Sequence, residues 1–91
     1  MKAQIHNFAV WINETRPAVL KQYFNNLLTV SGFEVLELTE KHFEPYGYTA
    51  LFLLSESHFA IHTFPEHEET YIELSSCVLE PFNKFIKNYE N

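Results

Sequence analysis

The sequence predicts an α/β protein of the α+β kind: a two-layer sandwich whose antiparallel sheet carries two helices on one face, in the order β-α-β-β-β-β-α. Three observations predict it. Two segments, one after the first strand and one at the C-terminal end, place apolar residues three and four apart, the repeat of a helix with one buried stripe. Five other runs are rich in β-branched and aromatic residues, mostly in alternation, as in half-buried strands. The later connections are short and built from turn-forming residues, so consecutive strands fold back on one another.

The first strand is expected over residues 4–12, with Phe8, Val10 and Ile12 on one face. Asn13, Glu14 and Thr15 break the pattern, and Pro17 suits the first turn of a helix, where its missing N–H is not needed. Leu20, Tyr23, Phe24, Leu27 and Leu28 then recur at helical spacing. Gly32 can end that helix by adopting a positive φ. A second strand is expected over residues 34–43, followed by a turn holding Pro45 and Gly47. Residues 48–54 are apolar on both faces, as in a strand from the middle of a sheet. The polar run Ser55, Glu56, Ser57, His58 interrupts before a strand over residues 59–64, and a charged turn occupies residues 65–69. In the strand over residues 71–77, Ile72, Leu74 and Ser76 share one face, and Tyr71, Glu73, Ser75 and Cys77 the other. The last helix starts near Pro81 and shows Phe82, Phe85, Ile86 and Tyr89 on one stripe. With no repeat or linker, residues 1–91 read as one domain.

A chain of 91 residues buries only about 60–65% of the surface it would expose unfolded, which predicts support from a partner. Nine Phe, five Tyr and one Trp supply the bulk of the core. The net charge of -6 argues against nucleic acid, whose phosphates require a basic footprint. One cysteine excludes an intramolecular disulfide. No apolar run approaches the ~20 residues of a membrane helix, and the first residues do not read as a signal peptide. A cytoplasmic location is expected.

Hairpin geometry gives the first pointer to chemistry. If the strands over 59–64 and 71–77 pair around the charged turn, facing residue numbers sum to roughly 135, within a residue or two of register. Cys77 then falls beside His58 and Ser57, on the sheet face away from the helices. A metal site from His58, His62 and His67 is disfavoured. His58 and His62 share a face but lie roughly 13 Å apart, too far for one zinc with ~2 Å bonds. A Cys–His nucleophile pair and an inert surface cysteine both remain open from the residues alone.

The run Leu54-Ser55-Glu56-Ser57-His58-Phe59-Ala60-Ile61-His62-Thr63-Phe64-Pro65-Glu66 resembles the self-processing motif of prokaryotic S-adenosylmethionine decarboxylases. Cys77, fifteen residues after His62, stands where that family has its catalytic cysteine. His42-Phe43 before the Pro45/Gly47 turn extends the resemblance. The resemblance implies that Ser57 attacks the Glu56 carbonyl, and that an N-to-O acyl shift and β-elimination follow. The chain would divide into a β chain (1–56) and an α chain (57–91) that begins with a pyruvoyl group made from Ser57. Its keto group would form a Schiff base with the substrate amine and act as the electron sink for loss of CO₂. By the same resemblance His62 takes part in elimination, the Thr49 hydroxyl assists processing, and Cys77 reprotonates the α-carbon. Phe43 and Phe59 match positions that stack on adenine, and Glu66 one that contacts polar groups of the ligand. Plain core packing of the two Phe, and a solvated turn carboxylate for Glu66, are the competing readings. The implied substrate is S-adenosylmethionine, its product feeds spermidine synthesis, and the implied assembly is a homodimer.

The chain departs from the family at Thr49 (usually Ser), Phe64 (usually Trp), Val78 (usually Gly, and costly at positive φ) and the charged turn His67-Glu68-Glu69. These departures keep two alternatives in play: a pyruvoyl enzyme for another amino acid such as ornithine or arginine, and an unprocessed homologue that binds a ligand or partner. Ser57 and His62 are five residues apart and would point to opposite faces of a straight strand; a bend or bulge near Ser57 would reconcile them, but the sequence shows none.

Overall fold

A computed structural model describes residues 3–90. The elements are β1 (His6–Ile12), α1 (Pro17–Val30), β2 (Val35–His42), β3 (Tyr48–Leu54), β4 (Ser57–Phe64), β5 (Glu69–Ser76) and α2 (Leu79–Glu90), with a 3-10 turn at Pro65–His67. The five strands form one antiparallel sheet in the order β1-β5-β4-β3-β2, which agrees with the expected sandwich.

The alternation read from the sequence decides which side of the sheet is covered. Phe52, Leu54, Phe59, Ile61, Ile72 and Leu74 are buried under the helices. They meet Leu20, Phe24, Leu27 and Leu28 of α1 and Phe82 and Phe85 of α2. Phe59 has no exposed surface, and its ring lies 5.0 Å from Phe24 and 5.7 Å from Phe85. Tyr23 falls at the margin of the α1 stripe and stays exposed, edge-on to Phe24. Helix α1 ends as expected: the Gly32 N–H donates to Thr29 at φ 103, and the Phe33 N–H donates to Leu28.

β3 is an interior strand, as its two apolar faces predict, but only one face is covered. Leu51 and Leu53 point to the other side and are about half exposed, and Trp11 of β1 is exposed on that side too.

The β4–β5 register differs from the expected one by two residues. Ser57 faces Ser76 and His58 faces Ser75. Glu68 takes a left-handed turn (φ 55), so the chain reverses earlier and Glu69 and Thr70 join β5. A shift of two keeps every side chain on its expected face, but it leaves Cys77 beyond the strand end instead of beside His58. Nor does a bulge near Ser57 bring it and His62 to one face. β4 pairs without interruption against both neighbours from Ser57 onward, and the bulge that does occur lies in β2, between Val35 and Glu37.

At the far edge, α1 is tied to the sheet by a polar cluster. The buried Tyr48 hydroxyl donates to Glu40 at 2.6 Å, and Lys21 of α1 reaches the other carboxylate oxygen at 3.2 Å. Burial, then the adjoining Glu40 carboxylate, pushes the Tyr48 phenol well above its ordinary range. The Tyr48 and Lys21 hydrogen bonds hold the Glu40 carboxyl below its own.

Candidate functional site

The residues singled out in the sequence fall into two groups at opposite ends of the β3–β4 hairpin. The first is at the turn that joins the two strands. Glu56 there has φ 58, a left-handed conformation that costs a side-chain-bearing residue about 1–2 kcal/mol. Its carbonyl oxygen accepts from the Cys77 N–H at 3.4 Å and from the Cys77 thiol at 3.2 Å. The peptide bond after a strained residue is therefore polarised by two donors from one neighbour. Cys77 itself is exposed.

Ser57 follows directly and is nearly buried. Its side chain shares the helix-covered face with Phe59 and Ile61, not the open face expected for the polar cluster. Its hydroxyl donates to the Ser76 Oγ at 2.7 Å. The sequence placed Ser76 on the Ile72/Leu74 face but gave it no role, because the expected register set Ser57 beside Cys77; a register two residues shorter would have paired the two serines.

The second group is at the other end of the strands, on the open face. Thr49 and His62 face each other across β3 and β4, with the Thr49 Oγ1 3.0 Å from the His62 Nδ1. Beside them is a cavity of about 350 Å³ lined by Phe43, Tyr46, Gly47, Thr49, His62, Thr63, Phe64 and Glu66. Its opening has a local cause. The regular β3–β4 ladder ends at Thr49–His62, and the next amide, that of Tyr48, donates to the Thr63 side chain at 2.9 Å. Beyond that point the turn at Gly47 (φ 113, its carbonyl bonded to the Phe43 N–H) and the turn at Pro65 part and leave the space between them. Thr63 and Tyr46 are contributors that the sequence did not single out. An aromatic row borders the group: His62 lies over Tyr71 at 6.5 Å, and Trp11 lies 5.2 Å from Tyr71 and 5.7 Å from Phe64.

Phe43 and Glu66 are exposed at the cavity and free to meet a ligand. Phe59 is not: with no accessible surface it offers no face for an adenine ring, and core packing accounts for it. The positive φ that would make Val78 costly is not required, since Glu56 and Glu68 are the non-glycine residues that carry one among the described residues. The two groups are well separated. Ser57 and His62 point to opposite faces and stand about 16 Å apart along β4. Among the described residues no cluster of three or more potential metal ligands occurs, and no helix is long and apolar enough to cross a membrane.

Comparison with known proteins bears on the family and the fold. A family model described as S-adenosylmethionine decarboxylase matches residues 13–88. S-adenosylmethionine decarboxylase proenzyme 2 of Bacillus cereus strain ATCC 14579 is 51% identical over 47 residues, which is 52% of this chain and 38% of that protein. The protein of the same name from Bacillus anthracis is 41% identical over 58 residues, covering 64% of this chain and 47% of its own. The S-adenosylmethionine decarboxylase proenzyme of Shouchella clausii is 38% identical over 64 residues, 68% of this chain and 50% of that one. The chain thus spans half or less of the length of these relatives. The crystal structure of the adenosylmethionine decarboxylase from Aquifex aeolicus VF5 shares the fold, with a TM-score of 0.73 at 19% identity over 91% of this chain and 73% of that one.

Proposed function

The chain belongs to the S-adenosylmethionine decarboxylase family, and on that premise we propose that it is a self-processing proenzyme that cuts itself between Glu56 and Ser57. The observation that carries the reading is the state of the Glu56 carbonyl. It sits on a left-handed residue and faces two Cys77 donors, with the Ser57 hydroxyl next in sequence. In the acyl shift the Ser57 Oγ bonds to the Glu56 carbonyl carbon, the C–N bond breaks, and the nitrogen takes a proton. Negative charge builds on the Glu56 oxygen during attack, where the Cys77 N–H and S–H can stabilise it. β-Elimination removes the Ser57 α-proton and expels the Glu56 carboxylate. Hydrolysis then releases ammonia and leaves a pyruvoyl terminus on the 57–91 chain, with 1–56 as the other product.

The pyruvoyl carbonyl supplies an electron sink for decarboxylation of an amino acid. Cys77, beside the cut, is the acid that returns a proton to the α-carbon. Phe43 gives the substrate an exposed aromatic face and Glu66 an acceptor for its polar groups. The substrate we propose is S-adenosylmethionine, and the decarboxylated product would donate aminopropyl groups to spermidine.

His62 and Thr49 cannot serve Ser57 of their own copy across about 16 Å. They can serve a second copy. A two-fold axis lying between two stacked open faces and crossing the strands sets the His62 end of one β4 against the exposed Glu56–Cys77 turn of the other, so each junction is flanked by residues from both copies. Leu51, Leu53 and Trp11 provide the apolar contact such a homodimer needs.

Intact mass of freshly synthesised protein tests the reading. Two fragments divided at Glu56/Ser57, the second lacking ammonia and blocked to amine labelling, are expected. A full-length species stable for days would overturn it in favour of an unprocessed binding homologue. The burial of Phe59, which removes one of two expected ring contacts, favours testing a smaller substrate as the second reading. CO₂ release from ornithine or arginine but not from S-adenosylmethionine would establish that one.

A further inference from the structure

Ser76 is tied to both halves of the cut. Its side chain is almost fully buried and its hydrogen-bonding capacity is used up. Its Oγ accepts the Ser57 hydroxyl at 2.7 Å and the Val78 N–H at 2.9 Å, and donates to the Val78 carbonyl at 3.2 Å. The second and third bonds close a tight turn around Cys77, the residue whose N–H and thiol face the Glu56 carbonyl. One hydroxyl therefore fixes the nucleophile on one side and the carbonyl's donors on the other.

The direction of the first bond matters as well. Ser57 donates its proton outward, and no described donor engages its oxygen in return. Its lone pairs are left for the carbonyl carbon, the state an attacking hydroxyl needs. Without the Ser76 oxygen the Ser57 hydroxyl, nearly closed to water, would lose its partner.

Building on the self-cleavage reading, we propose that Ser76 is a positioning residue for the acyl shift, holding the Ser57 oxygen and the Cys77 donors in register on the Glu56 carbonyl. It enters no covalent step: the bond formed is Oγ of Ser57 to C of Glu56, the bond broken is C–N, and the proton passes from the Ser57 hydroxyl to the departing nitrogen.

The test is a cleavage time course by intact mass on full-length Ser76→Thr, Ser76→Val and Ser76→Ala chains, with and without hydroxylamine. Hydroxylamine splits the ester intermediate and yields a second fragment that begins with unmodified Ser57. Thr and Val match in volume and differ in the hydroxyl, so packing damage is common to both. Cleavage slowed about 10- to 100-fold in Val and Ala, with Thr close to wild type and the hydroxylamine fragment falling in parallel, is expected. Equal rates in Thr and Val overturn the proposal, however slow both are. So does a hydroxylamine fragment that stays at wild-type level in Ser76→Val while pyruvoyl formation is lost, since Ser76 would then act after the shift. A wild-type chain that never cleaves overturns the self-cleavage reading itself, a different result from a cleaving wild type matched by Ser76→Val.

Discussion

Cys77 approaches Glu56 with two groups at once, its N–H at 3.4 Å and its thiol at 3.2 Å from the same carbonyl oxygen. Bringing a residue just past the end of β5 onto the turn between β3 and β4 requires the β4–β5 register in which Ser57 faces Ser76. The left-handed Glu56 completes the arrangement.

That left-handed residue makes a measurable prediction. Glu56→Gly in a Ser57→Ala background, where no cut can occur, raises unfolding free energy by about 1 kcal/mol in urea titrations, because glycine adopts positive φ without a Cβ clash. With Ser57 restored, the same substitution slows self-cleavage, since less strain is released. Unchanged stability would show that the turn stores none.

The separation of His62 from Ser57 predicts complementation. His62→Ala and Cys77→Ala are each inactive alone. Mixed one to one in co-expression, half the dimers are mixed, and each has one of two sites intact, so decarboxylase activity returns to about a quarter of wild type. Absence of any recovery, with mixed dimers confirmed by native mass spectrometry, would refute sites shared between copies.

The two phenylalanines assigned alike in the sequence separate by what they damage. Phe59→Ala opens a hole under both helices and costs about 3–5 kcal/mol of stability. Phe43→Ala leaves the melting temperature near wild type and raises KM, since the ring is exposed at the cavity. Melting curves and substrate titration of both variants check the assignment.

Acid stability reports on Glu40. Its carboxyl is held below its ordinary value near 4.5, first by the Tyr48 hydroxyl and then by Lys21. A carboxyl lowered in the folded state contributes stability that is complete above the unfolded value and is lost as pH falls through the folded one. Glu40→Gln is therefore less stable than wild type at pH 7, by no more than about 1 kcal/mol because the carboxylate is exposed to solvent, and the gap narrows below roughly pH 4.5. Denaturant titrations across pH 3–7, in the Ser57→Ala background, measure it. A gap that widens in acid would contradict the sign.

The sandwich was legible because alternation and helical spacing carry most of the burial. Phe8, Val10 and Ile12, Phe24 with Leu27 and Leu28, and Phe82 with Phe85 all lie against the core as their spacing requires. The motif also pointed to the Glu56–Ser57 junction, where the structure places a left-handed Glu56 and two Cys77 donors on its carbonyl. What escaped was set by geometry that the residue order does not carry. The left-handed Glu68 moved the hairpin by two residues, which hid the Ser57–Ser76 pair and took Cys77 away from His58. Phe59 reads as a ligand contact or as core in one dimension, and only its place between Phe24 and Phe85 decides. Thr63 was hidden for a similar reason: a hydroxyl standing in for a ladder carbonyl leaves no periodic trace.

The order of the strands bears on what a cut between Glu56 and Ser57 does to the molecule. Segment 57–91 contributes β4 and β5, which are neighbours, and both outer flanks of that pair are hydrogen-bonded to segment 1–56: β4 to β3, and β5 to β1. The two products are interleaved, not merely adjacent, and their apolar contents are shared, with Phe24 and Leu28 from one against Phe59 and Phe85 from the other. Severing that one peptide bond would therefore turn each folded chain into a two-chain complex. Once denatured, it would have to reassemble by collision, at a rate that depends on concentration.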